Sequence, residues 1–378
     1  MNTKEALRVI ECLRKGIPPE GFVATFTVGR DEEIESLRAR LEGGESQALL
    51  LKANYGCGKS HLLQFVRETV LQMNYAVSTI TVDSQSGVRF NRMDQIMAAI
   101  WRGIEVPDYA GETGPDRFMD FLAISERNGE QEAAWSEVTN RGGWNQPERL
   151  GSLCLYVALF LWCRGKLQDE IADWLQFPWS HKPTIIAQTV RQRMPAVKAA
   201  DLSFQRDQYS ESWKAIAAIH TLAQVAGLRG LVLLFDEFED VFNLNNIDRE
   251  TDALSNLFAF YGGKVFAGQS YFAVTPDFEA NCRRMYQRRG YWNVDTGCFD
   301  ALPMFSMSPL GATELNCLAM KILNAHGVAY AWNPSDHIAA SEIRRAVDQA
   351  AALPVQDRAR HVVKSIVRSL DDAAEEVT

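Results

Sequence analysis

The stretch from Ala48 to Val66 restricts what this chain can fold into more than any other. An apolar run, Ala48 to Leu51, has the make-up of a buried strand; a small-residue loop with Gly56 and Gly58 follows, and Lys59-Ser60 open a helix-like stretch through Leu62, Leu63, Phe65 and Val66. Strand, tight loop and helix in that order build a cradle for phosphate. Main-chain N–H groups gather at the helix N-terminus, where unpaired donors and the helix dipole favour negative charge. Glycine lets that backbone come close to the oxygens. Residues 53–60, Ala-Asn-Tyr-Gly-Cys-Gly-Lys-Ser, fit A-x-x-x-x-G-K-S, a phosphate-binding loop. Ala53, Asn54, Tyr55, Gly56, Cys57, Gly58, Lys59, Ser60 and His61 are then expected around a nucleotide, with Lys59 as the point charge for the β and γ phosphates and the Ser60 hydroxyl as a Mg²⁺ ligand. Ala53 replaces the usual first glycine and resists positive φ, a departure that bears on loop geometry.

A second apolar run, Leu231 to Phe235, reads as a central strand buried on both faces, and Asp236-Glu237 stand at its C-terminal end. Ligands of open α/β sheets bind at that edge. Alone, an Asp-Glu pair after a strand is a turn or a helix start; beside a phosphate loop it reads as the Walker B pattern. Asp236 is then the Mg²⁺ holder and Glu237 the base that polarises the attacking water. The two motifs are expected where neighbouring strands end. Residues 268–274 form another strand, ending in Thr275-Pro276-Asp277. Thr275 is the expected sensor of the γ-phosphate, and Thr before Pro is equally a helix start.

The 378 residues suffice for two to three structural units with a large core. A net charge of −9 argues against a globally basic nucleic-acid coat, although a local basic face would suffice for binding. The seven cysteines are scattered without a C-x-x-C pair, as expected of reduced thiols. No membrane partner is expected, because the longest apolar run, Leu153 to Cys163, falls short of the roughly 20 residues a bilayer needs. The expected location is the cytoplasm.

Along the chain, residues 4–15 carry Leu7, Ile10 and Leu13 at helical spacing before Gly16 and Pro18-Pro19. Val28-Gly29-Arg30-Asp31-Glu32-Glu33 opens another helix with acidic residues suited to its dipole, and lies where a segment closing over the nucleotide base would be placed. Residues 76–82 read as a strand and 93–104 as a helix. From 107 to 225 long helical patterns carry Trp135, Trp144, Trp162, Trp174 and Trp179, a composition of packed core rather than of a base-stacking platform. Residues 249–261 read as a helix. Arg283, Arg284, Arg288 and Arg289 then make the densest basic cluster. Three readings stay open for it: an arginine finger for a second copy of the chain, a nucleic-acid contact, or a solvated face. Helices follow over about 311–326, 336–351 and 355–370. In the last, Arg360, Lys364 and Arg368 share one stripe, and Arg358 or Arg360 is the expected lid residue over the nucleotide. The acidic end, Asp371 to Glu376, is expected to fray.

With phosphate loop, acidic strand end, polar strand end and helical lid in this order, the chain resembles the AAA+ ATPases of the additional-strand, catalytic-glutamate (ASCE) branch. Val28 to Glu33, with Gly29 and Arg30, is similar to the nucleotide-base motif of Orc/Cdc6- and STAND-type relatives. More closely, the chain resembles the BrxD-type ATP-binding proteins of bacterial BREX phage-defence systems, through Arg14 to Pro19, Gly56 to Leu63, Ala226 to Leu231, Phe235 to Glu239 and Thr275 to Phe278. The resemblance implies an α/β P-loop NTPase: a parallel sheet flanked by helices, with core halves at 1–106 and 226–308, a helical insertion at 107–225 and a helical lid with acidic tail at 309–378. It also implies ATP with Mg²⁺, hydrolysis to ADP and phosphate, and other defence-system proteins as partners, with DNA and a second copy of the chain as further partner classes. Two mechanisms stay open: turnover that drives a conformational change, and a nucleotide-gated switch in which binding alone matters. A guanine-nucleotide enzyme is disfavoured, since no N/T-K-x-D motif occurs.

Overall fold

The computed structural model describes residues 1–46, 48–82, 87–129, 131–181, 183–238, 241, 246–263, 265–288 and 303–377. The chain opens with α1 (Thr3–Lys15), whose Asn2 and Glu5 form a capping box and whose end is set by Gly16 at φ 75°. Next come α2 (Val23–Phe26), α3 (Asp31–Gly43), β1 (Leu49–Lys52), α4 (Lys59–Gln72), β2 (Ala76–Thr81), α5 (Met93–Gly103) and β3 (Ile104–Glu105). Between β3 and the next strand lie α6 (Pro115–Asn128), α7 (Glu132–Thr139), α8 (Leu153–Trp162), α9 (Gln168–Gln176), α10 (Thr184–Val190) and α11 (Arg206–Val225). Then β4 (Leu231–Asp236), α12 (Ile247–Tyr261), β5 (Gln269–Val274), α13 (Phe278–Arg288) and β6 (Met304–Ser306) lead to α14 (Ala312–Tyr330), α15 (Ala340–Ala351) and α16 (Val355–Val377).

The strands form one sheet in the order β3-β2-β4-β5-β1-β6. β4 runs parallel to β2 and β5, while the short β3 is antiparallel to β2. Register pairs Thr81 with Asp236 and Phe235 with Phe272, so β2, β4 and β5 end on one edge. The loop strand β1 and the acidic strand β4 are not neighbours as expected: β5 stands between them. A strand with apolar residues on both faces can be inserted between two others, and β5 is buried at every position.

Two compact units divide the chain, and each has its own core. The larger holds residues 43–50 and 69–303. Its core joins β2, β4 and β5 to α6 to α11; the Phe235 ring stacks on Phe272 at 4.5 Å, ringed by Phe90, Phe238 and Phe260. α8 is buried from Cys154 to Trp162, as its uninterrupted apolar run requires. Trp135, Trp144, Trp162 and Trp174 are core residues as expected, whereas Trp179 is 44% exposed.

The smaller unit holds residues 1–42, 51–68 and 304–378. Its core is formed by Ala6, Val9, Ile10 and Leu13 of α1 against Leu315, Ile322, Ile343, Val362 and Ile366 of α14, α15 and α16. The acidic end is not frayed: α16 stays helical to Val377. Asp371 accepts hydrogen bonds from Arg14 at 2.9 and 2.8 Å and lies 3.1 Å from His326 Nε2, which ties the last turns to α1 and α14. Trp332 Nε1 donates to His326 Nδ1 at 3.0 Å, so the neutral ring keeps its proton on Nε2 and donates it to Asp371.

Candidate nucleotide-binding site

The loop after β1 adopts the shape its glycines allow. Gly56 and Gly58 take φ 73° and 90°, while Ala53 is not among the positive-φ residues. The departure at 53 therefore carries no conformational penalty, because the left-handed positions fall on the two glycines. The turn is closed by Cys57 N–H donating to Asn54 O at 3.2 Å, and α4 is entered through Leu62 N–H donating to Gly58 O at 2.9 Å. Among the described residues the amides of Gly56, Gly58 and Ser60 donate to no protein acceptor, which is the condition of a helix start that receives an anion. Lys59 is buried, with Nζ 4.8 Å from the centre of the exposed Tyr55 ring, and Ser60 is exposed.

Residues 27–30 pack on this loop inside the same unit. Arg30 is 6% exposed and its guanidinium donates to Cys57 O at 3.1 Å, to Ser308 O at 2.6 Å and to Glu33 at 3.2 Å. It is a brace for the loop main chain, a role its motif position alone did not reveal. Thr27 Oγ1 donates to Val23 O at 2.9 Å and so accepts from His61 Nε2, also at 2.9 Å. Burial, with the Arg30 charge adding to it, lowers the His61 pKa from 6.5 to about 4, which keeps the ring neutral. Lys321 of α14 donates to Thr27 O at 3.0 Å. Gly29, at φ 58°, lies against Glu314, and a Cβ there would overlap the Glu314 side chain.

The first turn of α16 meets the loop through a residue that sequence reasoning missed. A Cβ on Gly56 would overlap the Cα, C and O of Gln356 in the first turn of α16. Arg358 instead donates from Nε to Leu353 O at 2.9 Å, and the Arg360 stem lies beside Gly16 at the end of α1. A neutral, exposed glutamine gives no charge or periodicity by which sequence could find it; the contact is made by main chain.

In the larger unit, Asp236 ends β4 half-buried, and its Oδ1 accepts from Glu237 N–H at 3.0 Å. Glu237 has φ 53°, an uncommon conformation for a residue with a Cβ and one that re-aims the chain directly after the strand. Thr275 is buried at the end of β5. Its side chain hydrogen-bonds Asp277, holding that carboxyl below its ordinary range, and Thr275 O accepts from Phe278 N–H at 3.2 Å as α13 begins. Arg283 is half-buried on α13; Arg284 is exposed, with Nε donating to Ala280 O at 3.4 Å and a further bond to Asn281. Arg288 is the last residue of α13, and Arg289 lies outside the described residues, as do Glu239 and Asp240.

Among the described residues no group of three or more His, Cys, Asp or Glu side chains could form a metal cage. The hydroxyl of Ser60 and the carboxylate of Asp236 are hard oxygen donors of the kind Mg²⁺ uses when phosphates and water complete its shell. No helix among the described residues is long and apolar enough to cross a membrane.

No curated protein and no solved structure gives a significant match to the chain. Residues 1–110 match the model of a protein family described as BREX system ATP-binding protein BrxC/D. The matched stretch holds residues 28–33, the loop after β1 and β1 to β3, and over these 110 residues the likeness to the BREX ATP-binding proteins BrxC/D is borne out.

Proposed function

We propose that this chain is an AAA+ ATPase that binds ATP with Mg²⁺ and hydrolyses it within a BREX phage-defence assembly. The observation that carries the reading is the meeting, in one compact unit, of three segments far apart in sequence: residues 27–30, residues 53–61 and the first turn of α16. The outward amides of Gly56, Gly58 and Ser60 cradle phosphate oxygens, and Lys59 supplies the charge. Ser60 and Asp236 would hold Mg²⁺, which neutralises phosphate charge when bound. Glu237 takes a proton from the attacking water as its oxygen adds to the γ-phosphorus and ADP leaves; Thr275 orients that water. Arg283, Arg284, Arg288 and Arg289 are the source of an arginine finger in trans. Other BREX proteins, a second copy of the chain and DNA are the partner classes this chemistry would serve.

Two substitutions test the reading. Lys59→Ala weakens ATP binding about 10- to 100-fold, the worth of one charge-assisted contact. Glu237→Gln retains binding but slows phosphate release about 10²–10⁴-fold. ATP affinity retained in Lys59→Ala contradicts the site assignment. The contact of Gln356 with Gly56 favours a second reading, in which nucleotide in the loop acts by moving the lid and turnover is dispensable. If Glu237→Gln changes neither ATP consumption nor phage protection, that switch reading replaces the motor.

A further inference from the structure

Apart from Arg360, one of the two expected lid residues, the exposed cations of α15 and α16 have no role in the nucleotide reading. Arg344, Arg345, Arg360, Lys364 and Arg368 are exposed, and none makes a hydrogen bond or ion pair among the described residues. Elsewhere in the smaller unit Arg14, Arg30 and Arg67 form ion pairs, while Arg8 of α1 is exposed like the cations of α15 and α16. Over α15 and α16 together, residues 340–377, six Lys and Arg stand against seven Asp and Glu, four of the acidic residues lying at 371–376 beyond the cationic stripe. Arg360, Lys364 and Arg368 nevertheless form a row of like charge on α16, and an anion lying along that row offsets their mutual repulsion.

We propose that this helical pair binds the phosphodiester backbone of duplex DNA. Arg360, Lys364 and Arg368 recur at every fourth residue of α16, hence about 6 Å apart along one face. Gly16 lets the Lys364 stem cross the end of α1, because a Cβ there would sit 2.9 Å from Lys364 Cε. The second track is a shallow groove on α15, where Arg344, Arg345, Asp348 and Gln349 rise around small Ala340, Ser341 and Ala352. Duplex is favoured over single strand by composition. Neither α15 nor α16 contains Phe, Tyr or Trp, whereas single strands are held by bases stacked on aromatic rings. Backbone cations without aromatic platforms give salt-dependent binding indifferent to base sequence. This deepens the partner side of the function proposed above by naming a face, and does not require that nucleotide be bound.

The test is fluorescence anisotropy of the full chain with a labelled mixed-sequence duplex of about 30 base pairs, titrated at several salt concentrations. Neutralising Arg360, Lys364 and Arg368 to Gln should weaken binding at least about tenfold near physiological salt. It should also flatten the log–log salt slope by about 2–3, since each phosphate contact contributes about 0.9. Arg344→Gln with Arg345→Gln should flatten it by about 1–2. Arg191→Gln with Arg193→Gln, exposed on the other unit, should change nothing, and circular dichroism checks that each variant is folded. Lys59→Ala should bind duplex normally, which separates failure of the nucleotide reading from failure of this one. The proposal is overturned by slopes unchanged in both lid variants, by tighter binding of a single strand of equal length, by absence of duplex binding, or by a loss confined to Arg283→Gln with Arg284→Gln.

Discussion

Gly56 is the position where two demands meet on one residue. Its φ of 73° costs a side-chain-bearing residue about 1–2 kcal/mol, and its missing Cβ makes room for the main chain of Gln356. Gly56→Ala should therefore destabilise the smaller unit by about 2 kcal/mol or more and weaken ATP binding, measured by urea unfolding and by nucleotide titration. An unchanged unfolding midpoint would show that the turn of α16 moves aside freely. His61 makes a different prediction. Its folded pKa of about 4 lies below the unfolded value near 6.5, so between those limits the unfolded chain takes up a proton that the folded chain refuses. The stability involved is fully present above about pH 6.5 and lost as pH falls toward 4, up to about 3 kcal/mol. His61→Gln should flatten the dependence between pH 7 and 5, read from urea midpoints; a slope equal to that of the parent chain would contradict it. The motif showed that a loop lay here, but not that Arg30 braces it, since three acceptors from separate segments converge on that guanidinium only after folding.

α16 depends on its neighbours more than on its own propensity. It buries Val362, Ile366, Val367 and Leu370 against α1 and α14, and Asp371 closes the contact by taking two bonds from Arg14 and one from His326. Asp371→Ala should lower stability by about 1–2 kcal/mol, the ion pair being partly solvent-screened, and should speed amide exchange over the last two turns. Unaltered exchange there would mean that packing alone holds the end. Sequence periodicity located this helix but left its acidic end to fray, as a chain end with no partner visible in the sequence does. The partners that reverse that tendency, Arg14 and His326, are 357 and 45 residues away in the chain. The strands were legible for the opposite reason. β4 and β5 lie inside a packed core, and apolar runs without alternation are what two buried faces require.

For the whole molecule, the expected behaviour of Lys59→Ala is informative because binding and folding are separable in it. The variant should keep the parent melting temperature without nucleotide and retain only about 0.4–1.4 kcal/mol of the stabilisation by ATP, which for the parent is about 2.7 kcal/mol at a hundredfold excess over Kd. A variant that melts early would mean that the Lys59–Tyr55 contact carries stability instead. The amino-acid sequence by itself determined the local geometry: where strands and helices run, which loop can cradle phosphate, and which strand ends in carboxylates. These follow from periodicity, glycine positions and charge within a few residues of each other. Tertiary structure alone decided that β5 separates β1 from β4, that residues 1–42, 51–68 and 304–378 form one unit, and that the main chain of Gln356 lies against Gly56. Such pairings join segments hundreds of residues apart, and their free energy comes from apolar surface and main-chain groups that bear no mark of their partner in the chain.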